Sequence, residues 1–146
     1  MAKSSEEPRA LTRKDFQFLA QLRASEAAML AKNGKSMGAY YLGGLAVECA
    51  LKACIAKSTK RYQFPRDRKF VDQAYSHDLR RLLELAGLSE RLNEDLESNP
   101  NFAAKWAIVE TWNVNTRYET SGLKGFDMDT AISSPGGVLE WIKQHW

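Results

Sequence analysis

The residues best placed by type and spacing to do chemistry are Glu48 and Lys52, four apart inside an otherwise apolar run over residues 37–56. On a helix, a glutamate four positions before a lysine shares its face in the favourable orientation. Charges set in apolar surroundings need a partner or a watery pocket, because desolvating them alone is costly. Two readings follow. One is a polar pocket between helices that receives a phosphate or a base. The other is a half-exposed ion pair that keeps a bundle in register. His77 is the next candidate, since a ring at the start of a helical segment can contact a ligand or satisfy a backbone group. Arg117 and Tyr118 are the third. A guanidinium beside an aromatic ring suits phosphate and stacked-base contact. It suits a helix C-terminus or a dimer interface equally well.

Other chemistries lack their residues. Cys49 and Cys54 sit five apart in one apolar segment, and on a helix they point in different directions. There is no CxxC pair and nothing like a secreted disulfide framework. His77 and His145 show no ligand spacing, so no metal site and no cofactor are expected. The stretch Ser133-Ser134-Pro135-Gly136-Gly137 lacks the lysine and the preceding strand of a phosphate loop. Trp106, Trp112 and Trp141 read as core or interface residues rather than ligand-stacking ones.

The elements that must position these residues are helices. The chain has 146 residues, 44% hydrophobic and 27% charged, with only four prolines and nine glycines. That is the balance of a single globular domain able to fold without a metal or a disulfide. The net charge of +3 is mild, and its densest basic run is Lys57, Lys60, Arg61, Arg66, Arg68 and Lys69. Residues 1–10 are expected to be a disordered tail without the apolar core of a signal peptide. Residues 11–146 form one domain. The apolar run over 37–56 has the length of a membrane span. Glu48 and Lys52 near its middle would each cost about 2.5–3.5 kcal/mol at a bilayer centre. A buried core helix, no membrane partner and a cytoplasmic location are therefore expected.

Thr12 with Asp15 predicts a capping box and a helix to about residue 32, with Phe16, Leu19, Leu22 or Arg23, Glu26 or Ala27, and Leu30 on its apolar side. Ser36 is expected to cap a second helix to about residue 57. Ala39, Gly43, Ala46, Ala50 and Ala53 give it one nearly flat face, and the helix is apolar around most of its circumference, which marks it as central. Phe64-Pro65 breaks the chain. A short helix is possible over 67–75. Ser76 opens a third clear helix over 77–86, stopped by Gly87, and Ser89 caps a polar one. Asn99-Pro100 starts a tryptophan-bearing helix reaching about residue 115. A last helix covers about 129–146, with a possible interruption at 133–137. Short connections make this all-α architecture an up-and-down helical bundle of four to five main helices.

The string Gly38-Ala39-Tyr40-Tyr41-Leu42-Gly43-Gly44-Leu45-Ala46-Val47-Glu48-Cys49-Ala50-Leu51-Lys52-Ala53 resembles the signature helix of HEPN domains, the higher eukaryotes and prokaryotes nucleotide-binding family. His77-Asp78-Leu79 before a leucine-rich helix, a tryptophan-bearing helix ending in Arg117-Tyr118, and a final amphipathic helix follow in the family's order. The resemblance covers nearly the whole chain. It implies a bundle of four or five helices, a homodimer and binding of a nucleotide or RNA. It also implies a minimal nucleotidyltransferase partner, in a toxin–antitoxin or defence-type setting. Other members of the family are metal-independent ribonucleases that use an arginine and a histidine spaced R-x4–6-H at the dimer interface. Here Arg117 is followed by Tyr118, Glu119, Thr120, Ser121, Gly122 and Leu123, without a histidine. A ribonuclease of this type would need a degenerate site, with Arg117 and His77 meeting across a dimer. The aromatic content, with four tryptophans, five tyrosines and six phenylalanines, points to a dimer face on the tryptophan-bearing helix and Arg117-Tyr118. The competing account is that these rings fill the gaps around the small-residue face of the second helix.

Overall fold

Thr12 starts the first helix as its side chain suggests. Its hydroxyl accepts the Asp15 backbone N–H at 3.2 Å, and the Asp15 carboxylate accepts the Thr12 N–H at 2.8 Å. This reciprocal box satisfies two donors that the helix itself leaves unpaired. The helix, α1, covers Arg13–Lys32. Gly34 lies just beyond its end at φ +73°, in the left-handed region that favours glycine. The computed structural model describes residues 11–59 and 68–146, and over them the chain is all-helical with no strand. The further elements are α2 (Ser36–Ser58), α3 (Arg68–Ala74), α4 (Leu79–Leu85), α5 (Ser89–Ser98), α6 (Pro100–Glu110), a 3-10 helix (Val114–Tyr118), α7 (Gly125–Ser133) and α8 (Val138–Lys143). The expected tail over 1–10, the Phe64-Pro65 break and Lys60, Arg61 and Arg66 of the basic run lie outside the described residues.

The hub is α2, which packs against α1, α4, α7, α8 and the 3-10 helix. Buried residues run around its whole circumference from Ala39 to Ile55. It is long and apolar enough to cross a membrane, but 72% of its most apolar window is buried against the rest of the fold. Its glycines mark where neighbours come closest. A Cβ on Gly44 would stand 2.2 Å from the Trp112 ring, and one on Gly43 would stand 2.7 Å from Met128 Cγ. The Trp112 indole N–H donates to the Tyr41 carbonyl at 3.2 Å, and the Tyr41 ring stacks on it at 6.3 Å. Trp106, Trp112 and Trp141 are all buried within the single chain. Trp112 fills the space left at Gly44, and with all three rings buried in the chain the tryptophan-bearing helix does not present them at its surface.

The helices are more numerous and shorter than the sequence pattern predicts, and each difference has a local cause. Ser36 does not cap α2. Lys35 occupies the cap position without a side-chain hydrogen bond. The Ser36 hydroxyl donates instead to the Leu123 carbonyl at 2.6 Å and accepts the Gly125 N–H at 2.7 Å, tying the start of α2 to the start of α7. On α1 the residues fully buried are Ala20 and Ala27, while Leu22 is 36% exposed. The small alanines let α1 lie close to α2, and the predicted apolar side is only partly the packed one. At α4 the cap is Asp78, whose carboxylate accepts the Arg80 and Arg81 N–H groups at 3.0 and 3.3 Å. The Ser76 hydroxyl only accepts the Asp78 N–H, at 3.0 Å. Likewise Leu88, not Ser89, holds the cap position of α5.

Asn99-Pro100 behaves as predicted, with the Asn99 side chain accepting the Phe102 N–H at 3.1 Å. The helix it opens stops at Glu110 because Asn113 accepts the Asn115 N–H at 2.9 Å and begins the 3-10 helix. The final helical region starts early, at Gly125, and breaks between Ser133 and Val138. A Cβ on Gly137 would lie 2.7 Å from the Ser134 carbonyl oxygen, so the chain turns there only because no side chain is present.

Gly44→Ala is expected to destabilise the fold by about 2–3 kcal/mol, because the rigid Trp112 ring cannot yield to an added methyl. Gly38→Ala is the control. Its Cβ would meet only the Leu30 Cδ1 methyl, at 3.1 Å, and about 1 kcal/mol of gained helix propensity offsets that contact. Urea denaturation of the two variants measures the difference.

Candidate functional site

The site is built where α2 faces the approach to α4. Its foundation is Glu48, a glutamate on the most buried helix of the fold. The Asp78 cap sets the start of α4, and His77 immediately precedes it. The His77 ring is thereby directed onto α2, with Nδ1 2.8 Å from Glu48 Oε1. Lys52, one turn further along α2, donates its ammonium to Glu48 Oε2 at 3.4 Å. The two oxygens of one carboxylate therefore serve two different cationic or cation-capable groups. The structure brings together three residues that the sequence singled out separately.

Burial divides their roles. The side chain of Glu48 is 5% exposed, that of Lys52 14% and that of His77 53%. An ionised carboxylate only accepts hydrogen bonds, so His77 places its proton on Nδ1 toward Glu48. In the neutral ring this leaves the Nε2 lone pair as the free nitrogen of a half-open imidazole. A buried carboxylate that fixes a histidine's tautomer while the other nitrogen stays available is the arrangement used to orient a general base or a ligand-binding ring. Lys52 has a single acceptor, at the long end of hydrogen-bond distance, and retains donor capacity.

The neighbouring thiols add no nucleophile. Cys49 and Cys54 are separate, buried, free thiols. Burial foremost pushes the Cys49 thiol up to about 11, reinforced by the negative charge of Glu48 and opposed by Lys52 and Arg23. Burial likewise raises Cys54 to about 11, against the pull of Lys57 and Arg13. Thiols held so high carry almost no thiolate at neutral pH.

Arg117 and Tyr118 do not join this cluster. They close the 3-10 helix, where the Arg117 guanidinium carbon sits 4.8 Å from the Tyr118 ring centroid. Both are exposed, Tyr118 to 72%. They form a separate surface pair, positioned through the buried Trp112 and Thr116 that precede them. Lys57, Arg68 and Lys69 of the basic run are exposed as well. Among the described residues, no three His, Cys, Asp or Glu side chains converge as a metal site would require.

A second group of titratable side chains had no legible motif. The Trp141 indole N–H donates to Asp95 Oδ2 at 2.7 Å and the Arg91 guanidinium does so at 3.1 Å. Those bonds, Trp141's first, hold the Asp95 carboxyl below its ordinary range. His145 packs edge-on against Trp141 at 5.0 Å, and burial, aided by Arg91, pushes its ring below the ordinary imidazole value. A cavity of about 260 Å³ beside this group is lined by Asp95, Asn99, Phe102 and Trp141 among others. Another of about 460 Å³ lies between α1 and α7–α8, with Gln21, Ile132, Leu139 and Lys143 in its walls. In the sequence Trp141 reads as a core ring and His145 as a histidine without ligand spacing, while Arg91 and Asp95, four apart on one helix, carry no signal that links them to either. Comparison of the chain with models of protein families, with curated proteins and with solved structures finds no match.

Glu48→Ala is expected to cost about 2–3 kcal/mol, since Lys52 is left without its acceptor in a largely buried position. Glu48→Gln, which can still accept from His77, should cost less, and thermal unfolding ranks the two. In the native protein at neutral pH neither cysteine should react with a disulfide reagent on the timescale of unfolded controls. Rapid labelling of either thiol would contradict the burial that raises them.

Proposed function

We propose that this chain is a HEPN-like binding module for a nucleotide or nucleic acid. It acts in the cytoplasm as a homodimer with a minimal nucleotidyltransferase partner, in a toxin–antitoxin or defence-type system. The observation that carries the reading is the Glu48-centred cluster. A carboxylate in the interior of the hub helix holds Lys52 on one oxygen and His77 on the other, and His77 stays half open to solvent. Charges of this kind weaken a core unless they are paired and hydrogen-bonded, and buried ionisable clusters of this type are functional-site candidates. The signature string on α2 and the order of the later pieces support the same reading, as does an all-helical fold centred on that string. Arg117 with Tyr118 offers a second contact of the right chemistry, a planar cation on an exposed ring.

A second reading keeps one observation of its own. His77 oriented by Glu48 is equipped to take a proton, as a metal-independent ribonuclease would require. Arg117, stacked on its own Tyr118, would then be supplied by a second copy of the chain. Toxicity on expression, abolished by both Arg117→Ala and His77→Ala, distinguishes this reading from simple binding.

Purification of the tagged protein from its native host is expected to recover a nucleotidyltransferase, and nucleotide or RNA titration of the pure protein should show binding. His77→Ala and Lys52→Ala should each weaken that binding by about tenfold or more, with helicity unchanged. Absence of both the partner and any binding would overturn the proposal. Light scattering is expected to report twice the chain mass of 16.5 kDa. A monomer at high micromolar concentration would remove the homodimer, and with it any site shared between two copies.

A further inference from the structure

The charge balance of the Glu48 cluster constrains what it binds and when. Glu48 and Lys52 cancel, so with a neutral His77 the site has no net charge and its imidazole shows an incoming ligand only the Nε2 lone pair. An anion finds there only the donor capacity that Lys52 retains beyond Glu48. Protonation changes both features at once. The cluster becomes net positive, and Nε2 turns from an acceptor into an N–H donor aimed at solvent. Nδ1–H stays on Glu48 at 2.8 Å.

Charged groups on the helices that pack against α2 and α4 have partners of their own. On α3, Arg68 and Asp72 face each other at 4.0 Å and are both strongly exposed. At the start of α4 the Asp78 carboxylate is turned onto the Arg80 and Arg81 N–H groups. Arg80 reaches Glu110 at 2.8 Å and Arg81 reaches Glu84 at 3.2 Å. On α1, Arg23 pairs with Glu26 at 2.7 Å. His77 is the group among them that can change charge near neutral pH.

We propose that this site takes a phosphate group together with a proton, with His77 donating from Nε2 to a phosphate oxygen and Lys52 supplying the compensating charge beneath it. The inference rests on the nucleotide-binding reading above and adds the part of the ligand that is recognised and its linkage to pH. The bond formed is a charge-assisted hydrogen bond, which a neutral imidazole accepting at Nε2 cannot make to a phosphate dianion. The sign follows from linkage. The complex holds one more proton than the neutral-ring protein and the phosphate dianion apart, so affinity rises as pH falls, until the free phosphate monoester takes up its own proton near ~6. Where the free ring is neutral and the phosphate a dianion, affinity falls by up to about tenfold for each unit of rising pH.

The test is isothermal titration of AMP into the wild-type chain at about pH 6 and about pH 8, each in two buffers of different ionisation enthalpy. Adenosine serves as the phosphate-free control. A short RNA without terminal phosphates separates a backbone phosphodiester from a nucleotide monoester. The expected result is AMP or RNA binding about tenfold tighter at the lower pH, with buffer-dependent heats at about pH 8, where AMP is a dianion, that report proton uptake. Adenosine should lack both effects, and His77→Gln should bind weakly and without pH dependence. Equal AMP affinity at the two pH values, without proton uptake, overturns this inference and leaves the nucleotide-binding reading intact. Adenosine that matches AMP in affinity and pH dependence overturns the assignment to phosphate. No binding of any of the three probes at either pH overturns both. Should His77→Gln fail to fold, the buffer dependence of the wild-type heats still decides.

Discussion

The rest of the structure depends on the absence of a side chain at Gly44. Trp112 occupies the volume where a Cβ would stand, at 2.2 Å from its ring atoms. Through that contact, and through the indole N–H on the Tyr41 carbonyl, the end of α6 is pinned to the hub helix. The 3-10 helix that carries Arg117 and Tyr118 follows directly. On the same side Gly43 admits Met128 and Ile132 of α7, and Ser36 bridges to the first residue of that helix. Two consecutive glycines cost a helix roughly 2 kcal/mol of intrinsic propensity. Burial of a tryptophan, a methionine and an isoleucine against the flat face outweighs that cost, at about 1.5–3 kcal/mol for each aliphatic chain.

Close packing also explains how a glutamate can live in such a helix. With α1 and α7 lying tight on the small-residue faces, Glu48 is left on the side that meets the approach to α4, where Lys52 and His77 reach it. The carboxylate is nearly sealed, whereas the imidazole is half open. The cluster therefore has a buried end that fixes geometry and a wet end that can respond to solvent or ligand. Its strength as a positioning device comes from the low local dielectric around Glu48, which strengthens both of its hydrogen bonds. Arg117 and Tyr118 lack such a support. Their mutual stacking holds them at the surface, and they would contribute to binding as an exposed platform rather than a built pocket.

Much of this was legible in the residues. The Thr12–Asp15 box, the Asn99-Pro100 start and the apolar circumference of α2 are local signals, readable because capping and amphipathic burial act over three or four neighbours. The same locality explains the failures. Ser36 has the chemistry of a cap, but its hydroxyl is claimed by Leu123 and Gly125, nearly ninety positions away in sequence. Leu22 fits an apolar stripe, yet α1 seats its alanines on α2 instead, because small residues allow the closer approach. Arg91 and Asp95 are four apart on α5, but no spacing links that pair to Trp141, 46 positions beyond Asp95.

The sequence by itself determined that the chain is helical, that the segment carrying Glu48 and Lys52 lies at the centre, and that those two residues, with His77, are the charges that need explaining. Residue type and short spacing suffice for that, since desolvation penalises an unpaired charge in an apolar run wherever the run ends up. Only the tertiary structure decided that His77 shares the carboxylate with Lys52, that Arg117 and Tyr118 stand apart from them, and that the tryptophans face inward. Those outcomes depend on which helix faces touch. That choice is made by the summed packing of all the faces at once, above all the space left open at Gly43 and Gly44, and no short stretch of sequence contains it.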